Sequence, residues 1–464
     1  MELVDRIIKA YDIRGLVDSE LTPDFAFAAG IAFASFLEMK KEPGTVVIGE
    51  DMRPSSPELA TAFADGLLSQ SFDVIRIGLA ATDQLYFASG SKNLPGAMFT
   101  ASHNPAEYNG LKLCLSGARP IGEDSGLGWI RESIRNGAPM ALRNSGKATE
   151  LSMLNDYVGF LFSLFPSDAF AKEFNKRSLS IAIDAGNGMA GHTAPAVMAK
   201  INANVFPLYF ELDGTFPNHE ANPIDPKNLS DLQSLVRKRK ADIGLAFDGD
   251  ADRCFLVDET GATVDPSALT ALIASRELSR HPGATIIHNL ICSRAVPETI
   301  REFGGTPLRS RVGHSFIKGL MADSGAVFGG EHSGHFYFKD FWSADSGMLA
   351  ALHAIAALLE SGKSLSKLIA PFNRYKSSGE LNTKVIDQKS ALNNVKSYFI
   401  NASGLTGDSI EIDELDGLTI SAENWWINLR PSNTEPLLRL NVEASTANVT
   451  TRLVNQVLDI LKKQ

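Results

Sequence analysis

Apolar residues along this chain fall into short blocks separated by helically spaced stretches. Residues 45–49, Thr-Val-Val-Ile-Gly, form a compact apolar run closed by glycine, the pattern of a buried strand. Residues 57–68 follow helical spacing, with proline at the start, where a helix tolerates it. Residues 73–77 and 96–100 read as two further strands. Strand–helix–strand repetition of this kind predicts a parallel sheet. The pattern restarts at 179–184, which runs into the glycine turn Ala185-Gly186-Asn187-Gly188, and reaches another strand at 243–247. A second restart gives a strand at 284–288, a helix near 294–303 and a strand at 326–328. The C-terminal stretch differs. Strands at 381–386, 409–412, 425–429 and 437–442 are joined by short connections, and a helix fills 448–461, which predicts a small α+β unit with an antiparallel sheet.

Three α/β units and one α+β unit result, with seams near 150, 262 and 372. The predicted domains are therefore 1–149, 150–262, 263–372 and 373–464. Length alone, 464 residues at roughly 150 per domain, suggests about three. A hydrophobic fraction of 44% with 21% charged residues excludes a wholly disordered, collagen-like or disulfide-framework chain. Lys and Arg number 44 against 54 Asp and Glu, a net charge of −10, which argues against a general nucleic-acid binder. Any phosphate chemistry must rely on local Arg and Lys. Cys114, Cys254 and Cys292 lie far apart without metal-ligand spacing and read as buried thiols in a reducing compartment. The N-terminal residues carry acids where a signal peptide has bases. The apolar stretches at 25–37 and 348–359 are shorter than the ~20 residues of a membrane span. The second is Ala-rich and contains His353, so a packed helix is expected there. A cytoplasmic location is the resulting expectation.

Four loops carry candidate chemistry. Thr100-Ala101-Ser102-His103-Asn104-Pro105 follows the strand at 96–100, so Ser102 falls where open α/β sheets bind ligands. A nucleophilic serine needs exposure and a partner for its proton. An Asn-Pro turn with a solvated serine is the plainer alternative. Asp248-Gly249-Asp250-Ala251-Asp252-Arg253 directly follows the strand at 243–247. Three carboxylates at alternate positions around a glycine can converge on one hard cation, and oxygen ligands suit Mg²⁺. Without a cation they would repel and raise one another's pKa values. An EF-hand calcium loop is rejected, because its twelfth position, Glu259, lies beyond a strand at 255–257 and the flanks are strands. Arg253 would stand beside the metal, able to stabilise a transferring phosphoryl group.

Gly330-Glu331-His332-Ser333-Gly334-His335 sets varied hydrogen-bonding groups between glycines, a composition suited to sugar hydroxyls or simply to a polar turn. Arg430-Pro431-Ser432-Asn433-Thr434-Glu435-Pro436 offers a guanidinium, two hydroxyls and an amide to a phosphate, or serves as a hairpin connection. Tyr11-Asp12-Ile13-Arg14-Gly15 and Arg309-Ser310-Arg311-Val312-Gly313-His314 are weaker signals, each equally readable as a solvated turn. Gly186 and Gly188 form no G-x-G-x-x-G, and the chain has no Walker A motif, so they are read as a turn.

In this order, one per unit, the four loops, with 11–15 in support, resemble the α-D-phosphohexomutase family. The sequence Gly-Glu-His-Ser-Gly-His is most similar to its bacterial phosphomannomutase/phosphoglucomutase group. The resemblance spans the whole chain. It implies four domains around a central cleft: three α/β units with mixed, mainly parallel sheets, and a C-terminal α+β domain with an antiparallel sheet. It implies that Ser102 carries a phosphoryl group and that Asp248, Asp250 and Asp252 hold Mg²⁺ together with an oxygen of the phosphorylated Ser102. Glu331 and Ser333 would bind sugar hydroxyls. Arg430, Ser432, Asn433 and Thr434 would hold the phosphate that is not reacting. Arg253, His314 and His335 would line the site, with Tyr11 and Arg14 nearby. One departure concerns Ile291, which precedes Cys292-Ser293-Arg294 where close family members often have lysine; a phosphate or sugar contact expected there is missing.

The implied reaction interconverts hexose 1-phosphate and hexose 6-phosphate, of mannose or glucose. Phospho-Ser102 gives its phosphoryl group to the free hydroxyl, the hexose 1,6-bisphosphate turns end for end, and its other phosphate returns to Ser102. Phosphoserine at about −2 and three Asp total about −5, which Mg²⁺ brings to about −3. Arg253 and neighbouring cations are then needed in the transition state. His335 or Lys112 is the expected acid/base, with His103 beside the nucleophile, and spacing does not choose among them. Alternatives are a phosphoglucosamine mutase, with His332 the position to watch, a phosphatase admitting water to phospho-Ser102, and a non-catalytic sugar-phosphate binder. Hydrolysis needs no second phosphate grip, so the four-loop layout disfavours it. The expected partners are small sugar phosphates, with no nucleic acid, membrane or obligatory protein partner.

Overall fold

In the computed structural model, which describes residues 3–137, 145–165, 178–406, 409–431 and 437–462, the chain forms four sheets. The first runs in the order Ile13–Leu16, Tyr108–Leu115, Gly96–Phe99, Thr45–Glu50, Asp73–Leu79, Ala148–Glu150, with Arg119–Pro120 added to Tyr108–Leu115. Thr45–Glu50 pairs in parallel with both Asp73–Leu79 and Gly96–Phe99, and Tyr108–Leu115 is antiparallel to its neighbours. The second and third sheets repeat this plan of a parallel centre with an antiparallel flank. Leu179–Asp184 lies between Ala203–Leu208 and Ile243–Phe247, both parallel to it, and Cys254–Asp258 is antiparallel to Ile243–Phe247. Thr285–Asn289 lies between Thr306–Ser310 and Phe328–Gly330, both parallel, and Phe336–Phe338 is antiparallel to the latter. Every residue of Ile243–Phe247 is buried, as a continuous apolar run in a sheet covered on both faces requires. The fourth sheet is wholly antiparallel and packs against helices Gln388–Thr406 and Ala447–Leu461.

One apolar core runs continuously through the first three units, joining Met98, Tyr157, Ile183, Leu269 and Phe328. The fourth unit has its own core around Ile420, Leu440 and Val457. Helix Gly347–Ser361 is buried along nearly its whole length, and its alanines let neighbours approach closely. Among the described residues no single helix is long and apolar enough to cross a membrane. The fourth unit meets the third through a seam that combines an apolar cluster with hydrogen bonds: Arg294 donates to the carbonyl oxygens of Ala422 and Glu423, both at 2.5 Å, and Val312 N–H donates to Asp416 at 3.1 Å.

Several element boundaries differ from the sequence expectation. The strand predicted at 326–328 lies at Phe328–Gly330, because Gly325, at φ 68°, ends helix His314–Ser324 and the next two residues return the chain to the sheet. The strand predicted at 381–386 occupies Lys376–Lys384, and that at 409–412 occupies Glu411–Asp413. Both border the sheet, where a partly solvated strand carries few apolar residues, so hydrophobic runs mark it poorly. Helix Gln388–Thr406 has no counterpart in the sequence expectation.

Candidate active site

Strand Gly96–Phe99 ends in a loop that holds Ser102 at φ 51°, a left-handed conformation that costs a non-glycine residue energy. Arg53 fixes this loop from beneath. Its buried guanidinium donates to the carbonyl oxygens of Ser102 (3.0 Å), Asn104 (2.7 Å), Pro105 (2.8 Å) and Tyr108 (2.9 Å), and its Nε to Asp51 (3.2 Å). Ser102 Oγ donates to Asp248 Oδ2 at 2.9 Å and lies 3.2 Å from His103 Nδ1. Burial, followed by the nearby Arg253 and Arg14, holds His103 well below the usual imidazole range, so it is neutral.

The aspartate loop approaches the serine loop at Gly249, where a Cβ would stand 2.3 Å from the Ser102 carbonyl oxygen. Carboxylate oxygens of Asp248, Asp250 and Asp252 lie within 4.8 Å of one another, all buried. Lys112 Nζ bridges Asp250 (2.6 Å) and Asp252 (2.7 Å), Thr82 Oγ1 donates to Asp250 (2.5 Å), and Arg253 Nε donates to Asp248 (2.7 Å). The Oδ1 atoms of Asp250 and Asp252 are buried without a hydrogen-bond partner among the described residues. Burial and the repulsion of Asp250 and Asp248 push Asp252 up to about 6, while Lys112 holds Asp250 low despite its burial. Orphaned buried oxygens in an all-oxygen donor set are what a hard divalent cation would satisfy, so the residues present fit Mg²⁺. Arg253 Nη2 is likewise buried and without a described partner.

Arg253 and His335 form a backbone bridge, and Cys254 N–H donates to Gly334 O at 3.2 Å, which joins the aspartate loop to the loop at 330–335. His335 Nδ1 lies 2.8 Å from Asp345 Oδ2 and 3.7 Å from Asp252 Oδ1. Burial opposes protonation of His335, but Asp252 and Asp345 outweigh it and raise the pKa. Lys318, 2.7 Å from Asp345 Oδ1, is buried with its ammonium 4.1 Å from the Tyr86 ring centre. Glu331 is anchored from behind by Tyr337 OH (2.6 Å) and Asn289 Nδ2 (3.1 Å), and Ser333 is half-buried beside it.

A cavity of about 680 Å³ brings together Tyr11, Arg14, Ser102, His103, Lys112, Asp252 and His335. Glu331, Ser333 and Arg430 lie outside its lining. Tyr11 connects the two groups, since its phenol feels the charges of Arg311, Asp416, Glu331 and Arg430, although burial is the main cause of its raised pKa. Arg14 donates to Asn104 (2.7 Å) and Asp12 (2.5 Å). Arg430 pairs with Glu380 (3.2 Å) and stands 3.9 Å from Asp416, with Nε buried and without a described partner. Ser432, Asn433 and Thr434 lie outside the described residues, and His314 is described only as the first residue of its helix. Ile291 packs with Leu290, Trp426 and Val312 across the seam to the fourth unit, so this position serves apolar packing.

Sequence motifs do not reveal Arg53, Asp51, Thr82, Asp345 or Lys318. The one signal available was Asp51-Met52-Arg53 directly after a buried strand, where charged residues face the ligand end of a sheet.

Matches to family models cover all four units: phosphoglucomutase/phosphomannomutase alpha/beta/alpha domain I at residues 5–139, domain II at 156–261, domain III at 265–375 and the C-terminal domain at 380–460. A phosphomannomutase of Vibrio cholerae is 38% identical over 464 residues, covering 98% of this chain and 97% of its own. A phosphomannomutase of Salmonella montevideo is 37% identical over 445 residues, 94% of each chain. The crystal structure of a phosphoglucomutase/phosphomannomutase family protein from Burkholderia thailandensis superposes with a TM-score of 0.88 at 30% identity, over 100% of this chain and 98% of that one. With four domains matched in order and relatives aligned almost end to end, the chain belongs to the phosphoglucomutase/phosphomannomutase family.

Proposed function

We propose that this protein interconverts hexose 1-phosphates and hexose 6-phosphates through phospho-Ser102 and a hexose 1,6-bisphosphate. The observation that carries the reading is Ser102 Oγ at 2.9 Å from Asp248, in one cavity with Lys112 and His335. Mg²⁺ held by Asp248, Asp250 and Asp252, with phosphorylated Ser102, would supply positive charge to the transferring phosphoryl group. In the forward half, the bond from Ser102 Oγ to phosphorus breaks as the sugar hydroxyl bonds to phosphorus and loses its proton, and the departing Ser102 Oγ takes up one proton to become the hydroxyl that donates to Asp248. His335 is the acceptor of that proton. Asp345 holds the Nδ1 proton and so assigns exchange to Nε2. Lys112 is a poor proton acceptor, because Asp250 and Asp252 raise its pKa well above the ordinary value despite burial and keep it an ammonium that balances charge. Arg253 completes that balance, and neutral His103 sits beside Ser102 Oγ as a hydrogen-bond partner.

Glu331 and Ser333 are the proposed sugar-hydroxyl contacts. Arg430, with Ser432, Asn433 and Thr434, is the proposed grip on the idle phosphate, and Tyr11, Arg14 and His314 are further proposed substrate residues. The seams at 150, 262 and 372 remain the proposed domain limits. The test is a parallel assay of mannose, glucose and glucosamine 1-phosphates with Mg²⁺ and trace bisphosphate. Formation of the 6-phosphate with negligible free phosphate is expected, for mannose or glucose first. Release of inorganic phosphate as fast as substrate disappears would replace the mutase with a phosphatase.

A further inference from the structure

We propose that Lys9 forms a transit subsite at the cavity mouth, holding one phosphate of the hexose bisphosphate while the intermediate turns between its two fixed grips. The inference rests on the function proposed above. Lys9 lines the cavity that contains Ser102, and so do Arg6, Arg14, Lys112 and His335. Each of those four has a carboxylate partner: Glu20 for Arg6 at 3.3 Å, Asp12 for Arg14, Asp250 and Asp252 for Lys112, and Asp345 for His335. Lys9 makes no ion pair with a described residue. It is exposed, and its backbone is fixed: Lys9 N–H donates to Asp12 O and Glu123 N–H to Ala10 O, both at 2.8 Å, and Ile8 bridges Ile13. A firmly placed turn therefore carries the one cation on this lining whose charge no described carboxylate offsets.

The chemistry of the intermediate calls for such a group. A bisphosphate that reverses its ends must release both phosphates from their anchors, and the protein around it carries a net charge of −10. An ammonium suits this passage. It is a point charge on a flexible stem without a fixed fork, so it accepts phosphate arriving in changing orientations. Arg430, buried and paired with Glu380, has the opposite character of a directional anchor.

The test uses full-length enzyme carrying radiolabelled phosphoserine, mixed with hexose 1-phosphate. The readout is the ratio of label in free bisphosphate to label in hexose monophosphate or back on the enzyme. Lys9→Gln is expected to raise that ratio roughly fivefold, the effect of losing one solvent-exposed charge contact. Lys9→Arg should stay within about twofold of wild type, and added salt should move wild type toward the Lys9→Gln value. An unchanged ratio in Lys9→Gln overturns the subsite, whatever happens to the turnover rate. If the wild type itself passes its label only to water, the mutase reading fails instead, and the two failures are distinguishable in the same experiment.

Discussion

At the scale of single residues, the nucleophile and its support differ in how they show in the sequence. Ser102 and the three aspartates stand in short motifs, because their chemistry needs particular side chains at fixed spacing. Ser102→Ala is expected to abolish nearly all turnover and all acid-stable labelling from bisphosphate. Wild-type turnover in that variant would remove Ser102 from the mechanism. Arg53 has no motif, since its role comes from reaching the carbonyls of residues 102–108, some fifty positions away in sequence but adjacent in space. Its removal would leave Asp51 buried without its cation, and breaking a buried pair costs about 3–5 kcal/mol. Arg53→Ala should therefore lower both the melting temperature and kcat. Arg53→Lys should rescue neither fully, because one ammonium cannot serve several carbonyls from a planar fork. Full activity in Arg53→Ala, measured on folded protein, would show that the serine loop holds its shape unaided.

At the scale of elements, the site depends on how closely two loops meet. A Cβ on Gly249 would fall 2.3 Å from the Ser102 carbonyl oxygen, and one on Gly188 would fall 2.6 Å from the Gly249 carbonyl oxygen. Neither clash can be relieved by a side-chain rotation, because the obstructing atoms are backbone. Gly249→Ala should keep its circular-dichroism spectrum while kcat falls on the order of a hundredfold, the usual consequence of a 1 Å misplacement at a reacting centre. A wild-type rate would show that the Ser102–Asp248 contact does not need this approach. The central strands of the first three sheets were legible because they are mostly apolar, buried runs, whereas the parallel strands Ala203–Leu208 and Thr306–Ser310, partly exposed at the sheet borders, had no counterpart in the sequence expectation. Helix Gln388–Thr406 was less so. Ala391, Val395 and Phe399 face the core at four-residue spacing, but Asn and Ser crowd the positions between them and mimic a loop. The glycine at 330 also belongs to a strand, so the proposed sugar loop starts directly from the C-terminal end of the central strand of its sheet.

At the scale of the whole molecule, the first three units are tied by one buried carboxylate. Asp83 Oδ2, in helix Thr82–Lys92, accepts from Tyr157 OH at 2.7 Å and from Ser346 Oγ at 2.6 Å, and Ser346 caps helix Gly347–Ser361. No motif announces this joint, because its three residues come from three separate stretches of chain. Burial raises Asp83 to about 7, with Asp252 and Asp345 adding to the effect and the two hydroxyls opposing it. The folded protein thus keeps a proton that the unfolded chain, with an ordinary value of 3.8, releases. Where the native state binds more protons, stability falls as pH rises, so the joint weakens between about pH 4 and pH 7 and stays weakened above. Asp83→Asn retains a carbonyl acceptor for both hydroxyls and cannot ionise. Its melting temperature relative to wild type should therefore rise from about pH 5 to about pH 8, by an amount reflecting at most ~1.4 kcal/mol per pH unit. Calorimetry at the two pH values decides it. An equal difference at both would mean that Asp83 is already ionised in the folded protein at the lower pH and that the three-unit joint is held by its hydroxyl contacts alone.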